Sequence, residues 1–225
     1  SMQRARESIE KDLTSRVFRA VVFDYDGTLC SSQRAESPPS KEMLRQMERL
    51  VRAGIVVGIA SGRGGSVQED LQKNLPAEVV EQIQLGLYNC GWIADASKSP
   101  APSTETSEFL SHVVRIVLRL KKMGVPINTV RTTHPYQVSI RFREGLSTDA
   151  MWFVVGDALR QAGLDPSSMV RSKHSIDVLA NGIGKARLIA HIISTYKIEP
   201  YDVMTMGDQG AWPGNDSALL EHRYS

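Results

Sequence analysis

Residues 17–28 read VFRAVVFDYDGT and change abruptly from apolar to acidic. Before Asp24, Arg19 is the only charged residue, which is typical of a strand that is buried on both faces of a sheet. Two carboxylates, Asp24 and Asp26, end this stretch and are followed by Gly27-Thr28. The segment predicts a central strand with acidic side chains at its carboxyl end.

A helix and a second strand follow. Ser40 is of the residue type favoured at a helix N-cap, and the apolar residues between Met43 and Val51 fall on one helical face. Beyond Gly54, residues 55–60 form another apolar run, which ends at Ser61-Gly62-Arg63. Apolar strands separated by a helix favour a parallel sheet. The predicted fold class is therefore α/β, with a Rossmann-like parallel sheet and helices on both faces.

The same pattern returns near the end of the chain. Gly182-Ile183-Gly184-Lys185 opens a helix, and residues 201–206 form a strand that ends at Gly207-Asp208. A glycine-rich loop then leads to Asn215-Asp216. These residues extend the predicted core sheet and add another acidic strand end.

The intervening residues 89–178 follow a different pattern. A long amphipathic helix runs from Phe109 to Met123, and residues 136–142 alternate between polar and apolar, which indicates a half-exposed antiparallel strand. We therefore predict a discontinuous α/β core at residues 1–88 and 179–225, with an α+β module inserted at residues 89–178.

Composition excludes several classes of protein. The chain has 225 residues, of which 41% are hydrophobic and 23% charged, and no apolar run approaches the roughly 18 residues that a bilayer span requires. Two cysteines are too few for a disulfide framework, and a net charge of +2 gives no basic excess for nucleic-acid binding. We expect a cytoplasmic protein with no membrane partner, and its near-neutral net charge argues against nucleic acid as a ligand.

Acidic residues gather at the carboxyl ends of the predicted core strands. Asp24, Asp26 and Asp208 all occupy such positions, where open α/β sheets build their sites. Carboxylates that converge repel one another unless a cation is present, and their hard oxygen atoms suit Mg²⁺. The sequence therefore predicts a magnesium site.

Other residues at the same predicted edge are suited to binding phosphate. The Ser61 hydroxyl and the free backbone N–H groups beside it, at Gly62, can hold a phosphate oxygen. Lys185 begins a helix after two glycines, so that its ammonium and the helix N-terminus both favour an anion. Carboxylates for a metal, with a hydroxyl and an ammonium for phosphate, indicate phosphoryl transfer.

The motifs together resemble the haloacid dehalogenase superfamily of phosphohydrolases. Four of them occur in the order of that family: Phe23-Asp24-Tyr25-Asp26-Gly27-Thr28, Ser61-Gly62-Arg63, Lys185, and Gly207-Asp208 with Asn215-Asp216. The inserted module matches the position of the family's type-II cap, as in phosphatases of the sucrose- and trehalose-phosphate kind.

This resemblance implies a role for each acidic residue of the first motif. Asp24 would attack phosphorus and form an aspartyl-phosphate. Asp26 would protonate the leaving oxygen and then take a proton from the hydrolytic water. Mg²⁺ would be held by the carboxylates of Asp24 and Asp208 and by the backbone carbonyl of Asp26.

The resemblance also assigns the phosphate-binding groups and a further metal ligand. Ser61, Gly62 and Lys185 would bind the phosphoryl oxygens. Asp216 would help to hold the metal, although the six residues 209–214 separate Asp208 from Asn215 and must fold back for it to do so. Nine residues follow Asp216, whereas a core of this family continues with a further strand and helix, so a truncated chain is expected.

Basic residues in the inserted module are candidates for contact with the rest of the substrate. Arg141 shares a predicted strand face with Gln137 and Ser139, which makes it the cap residue best placed to bind a polar or anionic group. A solvated basic face is the alternative interpretation for this set of residues. The set consists of Arg131, Arg141, Arg143, Lys173 and His174.

The predicted function is that of a Mg²⁺-dependent phosphatase for a small phosphorylated metabolite, such as a sugar phosphate. The acid two residues after Asp24 favours a phosphatase or a phosphomutase, since dehalogenases and ion-pumping ATPases of the superfamily lack it. Three alternatives stay open: a phosphomutase, a phosphatase of nucleic-acid ends, and a catalytically silent regulatory module with the same fold.

Overall fold

Two β-sheets form the framework of the computed structural model, which describes residues 2–31, 37–100, 105, 107–132 and 135–225. The strands in this described part are β1 (Ala20–Asp24), β2 (Val56–Ala60), β3 (Gln84–Leu87), β4 (Trp92–Asp95), β5 (Ile127–Arg131), β6 (Gln137–Phe142), β7 (Met169–Arg171), β8 (Ser175–Leu179) and β9 (Val203–Met206). The helices are α1 (Met2–Ser15), α2 (Lys41–Arg52), α3 (Gly65–Asn74), α4 (Ala77–Val80), α5 (Glu108–Lys122), α6 (Thr148–Gln161), α7 (Ala186–Tyr196) and α8 (Ser217–Leu220). Within these described ranges, none of the helices combines the length and apolar composition that a membrane span requires.

The core sheet has the strand order β4-β3-β2-β1-β9. Strand β1 pairs in parallel with both β2 and β9, and β2 pairs in parallel with β3. Asp24 is in register with Ala60, and Ser61 is the residue after Ala60. Asp24 and Ser61 therefore lie at the same edge of the sheet. Asp208 follows β9 at that edge. The predicted α/β class is confirmed.

Alternate residues of β1 face opposite sides of the core sheet, and helices cover both sides. Val21 and Phe23 belong to the apolar cluster that includes α2 and α3, whereas Ala20 and Val22 pack with α7. Helix α2 begins as predicted, with the Ser40 hydroxyl accepting a backbone hydrogen bond at its N-terminus. Burial on both sides explains why these strands are apolar almost throughout.

The second sheet is antiparallel, has the strand order β5-β6-β8-β7, and forms the predicted α+β cap. One face carries Val138, Ile140, Ile176 and Val178, which are buried in a cluster with α5 and α6. Because side chains alternate along a strand, the other face is polar. This polar face of the cap sheet consists of Arg131, Gln137, Ser139, Arg141, Ser175 and Asp177.

Strand β4 corrects the predicted start of the cap. It lies within residues 89–178, which the sequence pattern assigned to the inserted module, but it pairs antiparallel with β3 in the core sheet. Four half-buried residues are too short a segment for periodicity to show which sheet they join. We propose that the cap begins after β4.

Cap and core are joined by side-chain and backbone contacts. The side-chain amide of Gln137 donates a hydrogen bond to the carbonyl of Gly62 at 3.1 Å. The backbone N–H of Arg171 donates to the carbonyl of Pro213, and that of Asn215 donates to the carbonyl of Arg171, each at 2.9 Å. The cap is therefore held over the edge of the core sheet where the acidic strand ends lie.

Candidate active site

Lys185 joins two buried carboxylates at the centre of the site. Its Nζ lies 2.5 Å from Oδ1 of Asp24, at the end of β1, and 2.5 Å from Oδ1 of Asp216, in the loop after β9. None of the three side chains is more than 3% exposed. Since charges at this depth are tolerated only when they are paired, the three residues form one unit.

Burial and charge act in opposite directions on this unit. Burial raises the pKa of the Asp24 carboxyl, an effect that Lys185 opposes and Asp216 reinforces. Burial by itself lowers the pKa of Lys185, but the two carboxylates more than offset this and raise it. Lys185 is therefore held as an ammonium ion between the carboxylates of Asp24 and Asp216.

Both oxygens of Asp216 are engaged by the protein. Oδ1 contacts Lys185, while Oδ2 accepts hydrogen bonds from the backbone N–H groups of Asp208 (3.2 Å) and Gln209 (3.0 Å). The loop of residues 209–214 thus folds back, as it must for Asp216 to reach the site. These contacts favour a positioning role for Asp216 over the metal-binding role that the resemblance implies.

Three carboxylates lie close enough together to share a cation. One oxygen from each of Asp24, Asp208 and Asp216 lies within 4.8 Å of the others. Ligands on opposite sides of Mg²⁺ are about 4.2 Å apart, because each Mg–O distance is about 2.1 Å. The Asp208 carboxylate already attracts one cation, since Nζ of Lys173 lies 3.1 Å from its Oδ2. Asp24 and Asp208 therefore supply carboxylate oxygens of the kind that Mg²⁺ prefers, whereas both oxygens of Asp216 are already engaged.

Gly27 allows Asp208 to approach Asp24. Its φ is +97°, and a Cβ at this residue would lie only 2.4 Å from Oδ2 of Asp208. Gly27→Ala should therefore displace the Asp208 carboxylate, and we expect the affinity for Mg²⁺ to fall by about 10- to 100-fold in isothermal titration calorimetry.

Gly54→Ala is the matched control for this prediction. Gly54 also has a positive φ, of +79°, but nothing lies within 4 Å of the position that its Cβ would take. Both substitutions should lower the free energy of unfolding in urea by about 1–2 kcal/mol. Gly54→Ala should leave the Mg²⁺ affinity unchanged, so equal affinities in the two variants would contradict a metal site at Asp208.

Asp26 lies at the wall of the site and is held by Arg63. Its Oδ1 accepts a hydrogen bond from Nη1 of Arg63 at 3.2 Å. The same guanidinium lies 3.7 Å from Asp70 and 5.3 Å from the ring centre of Tyr25. The Asp26 side chain keeps 48% of its surface exposed, so it is accessible to a ligand or to water. The pairing with Arg63 was not predicted, because 37 residues separate the two in the sequence.

Ser61 and Gly62 lie beside these carboxylates at the end of β2. The buried Ser61 accepts a hydrogen bond at Oγ from the backbone N–H of Arg63, at 3.0 Å. This contact leaves the hydroxyl proton available for an anion. Gly62 lines the cavity, and a Cβ added to it would lie 3.3 Å from Nδ2 of Asn89.

Asp177 also lines the site and Asn89 contacts the lining residue Gln137, although the sequence did not single out either residue. Three successive residues with positive φ, Tyr88 to Cys90, set the direction of the Asn89 side chain, whose Nδ2 donates to Oε1 of Gln137 at 2.7 Å. Such strained backbone is concentrated at functional sites. Asp177 lines the cavity from the cap, and burial raises the pKa of its carboxyl while hydrogen bonds, first that with Ser139, lower it.

A cavity of about 360 Å³ separates the core from the polar face of the cap sheet. Asp24, Asp26 and Asp208 line it from the core, and Arg131 and Arg141 line it from the cap. Its volume lies near the lower end of the range for sites of small molecules. The cavity therefore suits a small metabolite and brings the predicted cap residue Arg141 to the same space as the predicted carboxylates.

Comparison with known families agrees with this architecture. The family model described as haloacid dehalogenase-like hydrolase matches residues 21–149, more than half of the chain. The chain therefore belongs to the haloacid dehalogenase-like hydrolases, as its motifs predicted. More particularly, the model described as sucrose-6F-phosphate phosphohydrolase matches residues 104–225, which include Lys185 and Asp208.

The sequence identity to individual relatives is low. Sucrose-phosphatase 2 of Nicotiana tabacum is 22% identical over 215 residues, which cover 92% of this chain and 49% of that protein. The chain thus spans about half the length of this curated relative.

Solved structures share the fold. The sucrose-phosphatase of Synechocystis sp. PCC6803, in complex with sucrose and phosphate, has a TM-score of 0.63 and 16% identity, with 93% of this chain and 81% of that chain covered. An IMP-bound mutant of the Plasmodium falciparum IMP-nucleotidase has a TM-score of 0.65 and 11% identity, with 92% of this chain and 63% of that chain covered. At such identities the likeness supports the fold alone.

Proposed function

We propose that this protein is a Mg²⁺-dependent phosphatase that hydrolyses a small phosphorylated metabolite, such as a sugar phosphate, through an aspartyl-phosphate on Asp24. The observation that carries the proposal is the contact of Lys185 with Asp24, which lines a cavity of about 360 Å³ together with Asp208. Membership in a family of hydrolases and the match to the sucrose-6F-phosphate phosphohydrolase model support it.

In the first step, a carboxylate oxygen of Asp24 forms a bond to phosphorus while the bond from phosphorus to the substrate oxygen breaks. The Lys185 ammonium and the Ser61 hydroxyl stabilise the negative charge of the transferring phosphoryl group. When bound by Asp24, Asp208 and the carbonyl of Asp26, Mg²⁺ would offset the repulsion between the nucleophile and the phosphate.

Asp26 moves the proton in both steps. As an acid it protonates the leaving oxygen, and as a base it then removes a proton from the water that attacks the aspartyl-phosphate. That attack releases phosphate and restores the Asp24 carboxylate. Arg63 holds the Asp26 carboxylate in position at 3.2 Å. The hydrogen bond from Gln137 to Gly62 joins the cap to the core beside the site, and closure of the cap would exclude bulk water during the first step.

Release of inorganic phosphate tests this function. With Mg²⁺ in excess, the chain should release phosphate from 4-nitrophenyl phosphate and, with a higher kcat/KM, from at least one member of a panel of phosphorylated metabolites. Removal of the metal with EDTA should lower the rate by at least about 100-fold, and added Mg²⁺ should restore it. Absence of release across the panel, with Mg²⁺ present, would contradict the proposal.

The same assay separates the alternatives by their products. A phosphomutase would convert one hexose phosphate into an isomer without net release of phosphate. A phosphatase of nucleic-acid ends would release phosphate from a 3′-phosphorylated oligonucleotide. A silent regulatory module would bind beryllium fluoride, an analogue of the phosphoryl group, but would turn over none of these compounds.

A further inference from the structure

Two guanidinium groups on the polar face of the cap sheet have no acidic partner among the described residues. Arg131 and Arg141 line the cavity, and neither takes part in the ion pairs that the described residues form. The other cations around the cavity differ in this respect, since Lys185, Arg63 and Lys173 each contact a carboxylate of the core.

The register of the cap strands makes these two arginines diagonal neighbours on one face of the sheet. Arg131 of β5 lies opposite Ser139 of β6, and Arg141 is two residues farther along β6. Residues two apart on a strand, and residues opposite one another on neighbouring strands, share a face of the sheet. Arg141 lies in turn opposite Ser175 of β8. The immediate neighbours of both arginines on this face are therefore hydroxyl groups.

The carboxylate of Asp177 lies on the same face of the sheet but is directed towards the core. It lies opposite Ser139, and its Oδ2 is only 3.6 Å from the position of a Cβ on Gly62, at the end of core strand β2. Burial raises the pKa of its carboxyl, which its hydrogen bonds with Ser139, Ser175 and Asn89 oppose. Asp177 thus belongs to the boundary between cap and core and does not neutralise the two arginines.

The two walls of the cavity are suited to different parts of one ligand. The core wall carries Asp24, and the groups that the proposed function assigns to the phosphoryl group, Ser61 and Lys185, are buried next to it. Arg141 is half-buried, and a guanidinium that loses water without gaining an acidic partner is destabilised. The planar, forked donors of arginine match carboxylate and phosphate oxygens in pairs.

We propose that the substrate carries a second anionic group, a carboxylate or a second phosphate, which Arg141 and Arg131 bind while the phosphomonoester lies at Asp24. The inference rests on the proposed function, because that function fixes which end of the ligand faces the core. It implies that a phosphate ester with an otherwise neutral sugar, such as glucose 6-phosphate, is a poor substrate.

Matched pairs of substrates test this inference on the full chain with Mg²⁺. Glycerol 3-phosphate and 3-phosphoglycerate differ by a carboxylate, and glucose 6-phosphate and glucose 1,6-bisphosphate differ by a phosphate. In at least one pair we expect kcat/KM to be about 10- to 100-fold higher for the member with the second anion, as is typical of a hydrogen bond to a charged group. The pair that shows the preference identifies which anion is bound.

Substitution of the arginines locates the preference. Arg141→Gln should reduce the ratio of kcat/KM within the preferred pair by about 10-fold or more, and Arg131→Gln provides a second, independent variant. Arg143→Gln is the matched control, because Arg143 is exposed close to Arg141 and is not among the described residues that line the cavity. An equal loss in the Arg143 variant would mean general attraction by positive charge and would overturn the proposed contact.

A binding measurement keeps the inference separate from the function. Isothermal titration calorimetry on the Asp24→Asn variant compares the affinities of 3-phosphoglycerate and glycerol 3-phosphate, and of the two glucose phosphates, without turnover. Turnover of phosphomonoesters with no preference in either pair would overturn the inference and leave the function standing. Preferential binding of the second anion, without turnover in the unsubstituted chain, would support the inference and overturn the function.

Discussion

Asp24→Asn should lower the rate of phosphate release by about 10⁴-fold or more, because it removes the nucleophile of the first step. The same substitution should leave the free energy of unfolding unchanged or raise it. Burial opposes ionisation of the Asp24 carboxyl, whereas a neutral amide of the same shape carries no such penalty. Phosphate release is measured with Mg²⁺ present, and stability is measured by urea unfolding.

The opposite signs of the two effects distinguish a catalytic carboxylate from a structural one. Asp157→Asn is the control, since Asp157 lies on the exposed side of α6 and accepts a hydrogen bond from Gln161 of the same helix. It should change neither quantity. Retention of activity in Asp24→Asn would contradict the aspartyl-phosphate mechanism, and a large loss of stability would mean that Asp24 serves mainly to hold Lys185.

The core of the fold could be predicted because its signals are local. Burial on both sides makes β1 and β2 nearly continuously apolar, and the polar turn after each of them marks the edge of the sheet. Ser40 marks the start of α2, and the positive φ of Gly54 follows its end. In such segments, hydrophobic pattern and capping residues indicate the same structure, so no tertiary information is needed.

Elements of marginal burial escaped prediction. Strand β5 alternates poorly, since three of its five residues are exposed, and β7 has only three residues. Strand β4 is the clearest case. Its own sequence does not indicate which sheet it joins, and its pairing with β3 makes it part of the core sheet. Tertiary contacts override weak local preference in these strands.

The same distinction applies to the candidate site. Asp24, Asp26, Ser61 and Lys185 occur at the ends of predictable elements, and their approach follows from the parallel order of the strands. Contacts that depend on the packing of the cap could not be predicted in this way.

Two of the unpredicted features join residues that are distant in the sequence, and a third depends on the path of a loop. Arg63 meets Asp26 across 37 residues, and Asn89 meets Gln137 across 48. The double engagement of Asp216 depends on how the loop of residues 209–214 folds. Side-chain contacts of this kind produce no repeating pattern in the sequence, so they are identified only in the three-dimensional structure.

Lys185→Met should have the largest effect on stability of any single substitution in the site. The change leaves the carboxylates of Asp24 and Asp216 buried at close range without the ammonium that lies 2.5 Å from each. Removal of one partner from a buried ion pair costs about 3–5 kcal/mol. We expect a loss of this size in the free energy of urea unfolding, measured in EDTA so that no divalent cation replaces the ammonium. Phosphate release with Mg²⁺ should fall by about 10²- to 10³-fold, because a charge that stabilises the phosphoryl group is missing.

A double-mutant cycle shows whether the loss arises from the pair itself. In the Asp24→Asn background, one of the two carboxylates that contact Lys185 is replaced by a neutral amide. Lys185→Met should therefore lower the free energy of unfolding by about 1–3 kcal/mol less in this background than in the unsubstituted chain. Lys122→Met, on the exposed surface of α5, controls for the loss of a lysine and should leave stability unchanged. Strict additivity of the two site substitutions would mean that Lys185 and Asp24 do not interact in solution. The phosphoryl site would then lack the charge that the proposed reaction requires, because Lys185 is the cation that contacts the nucleophile among the described residues.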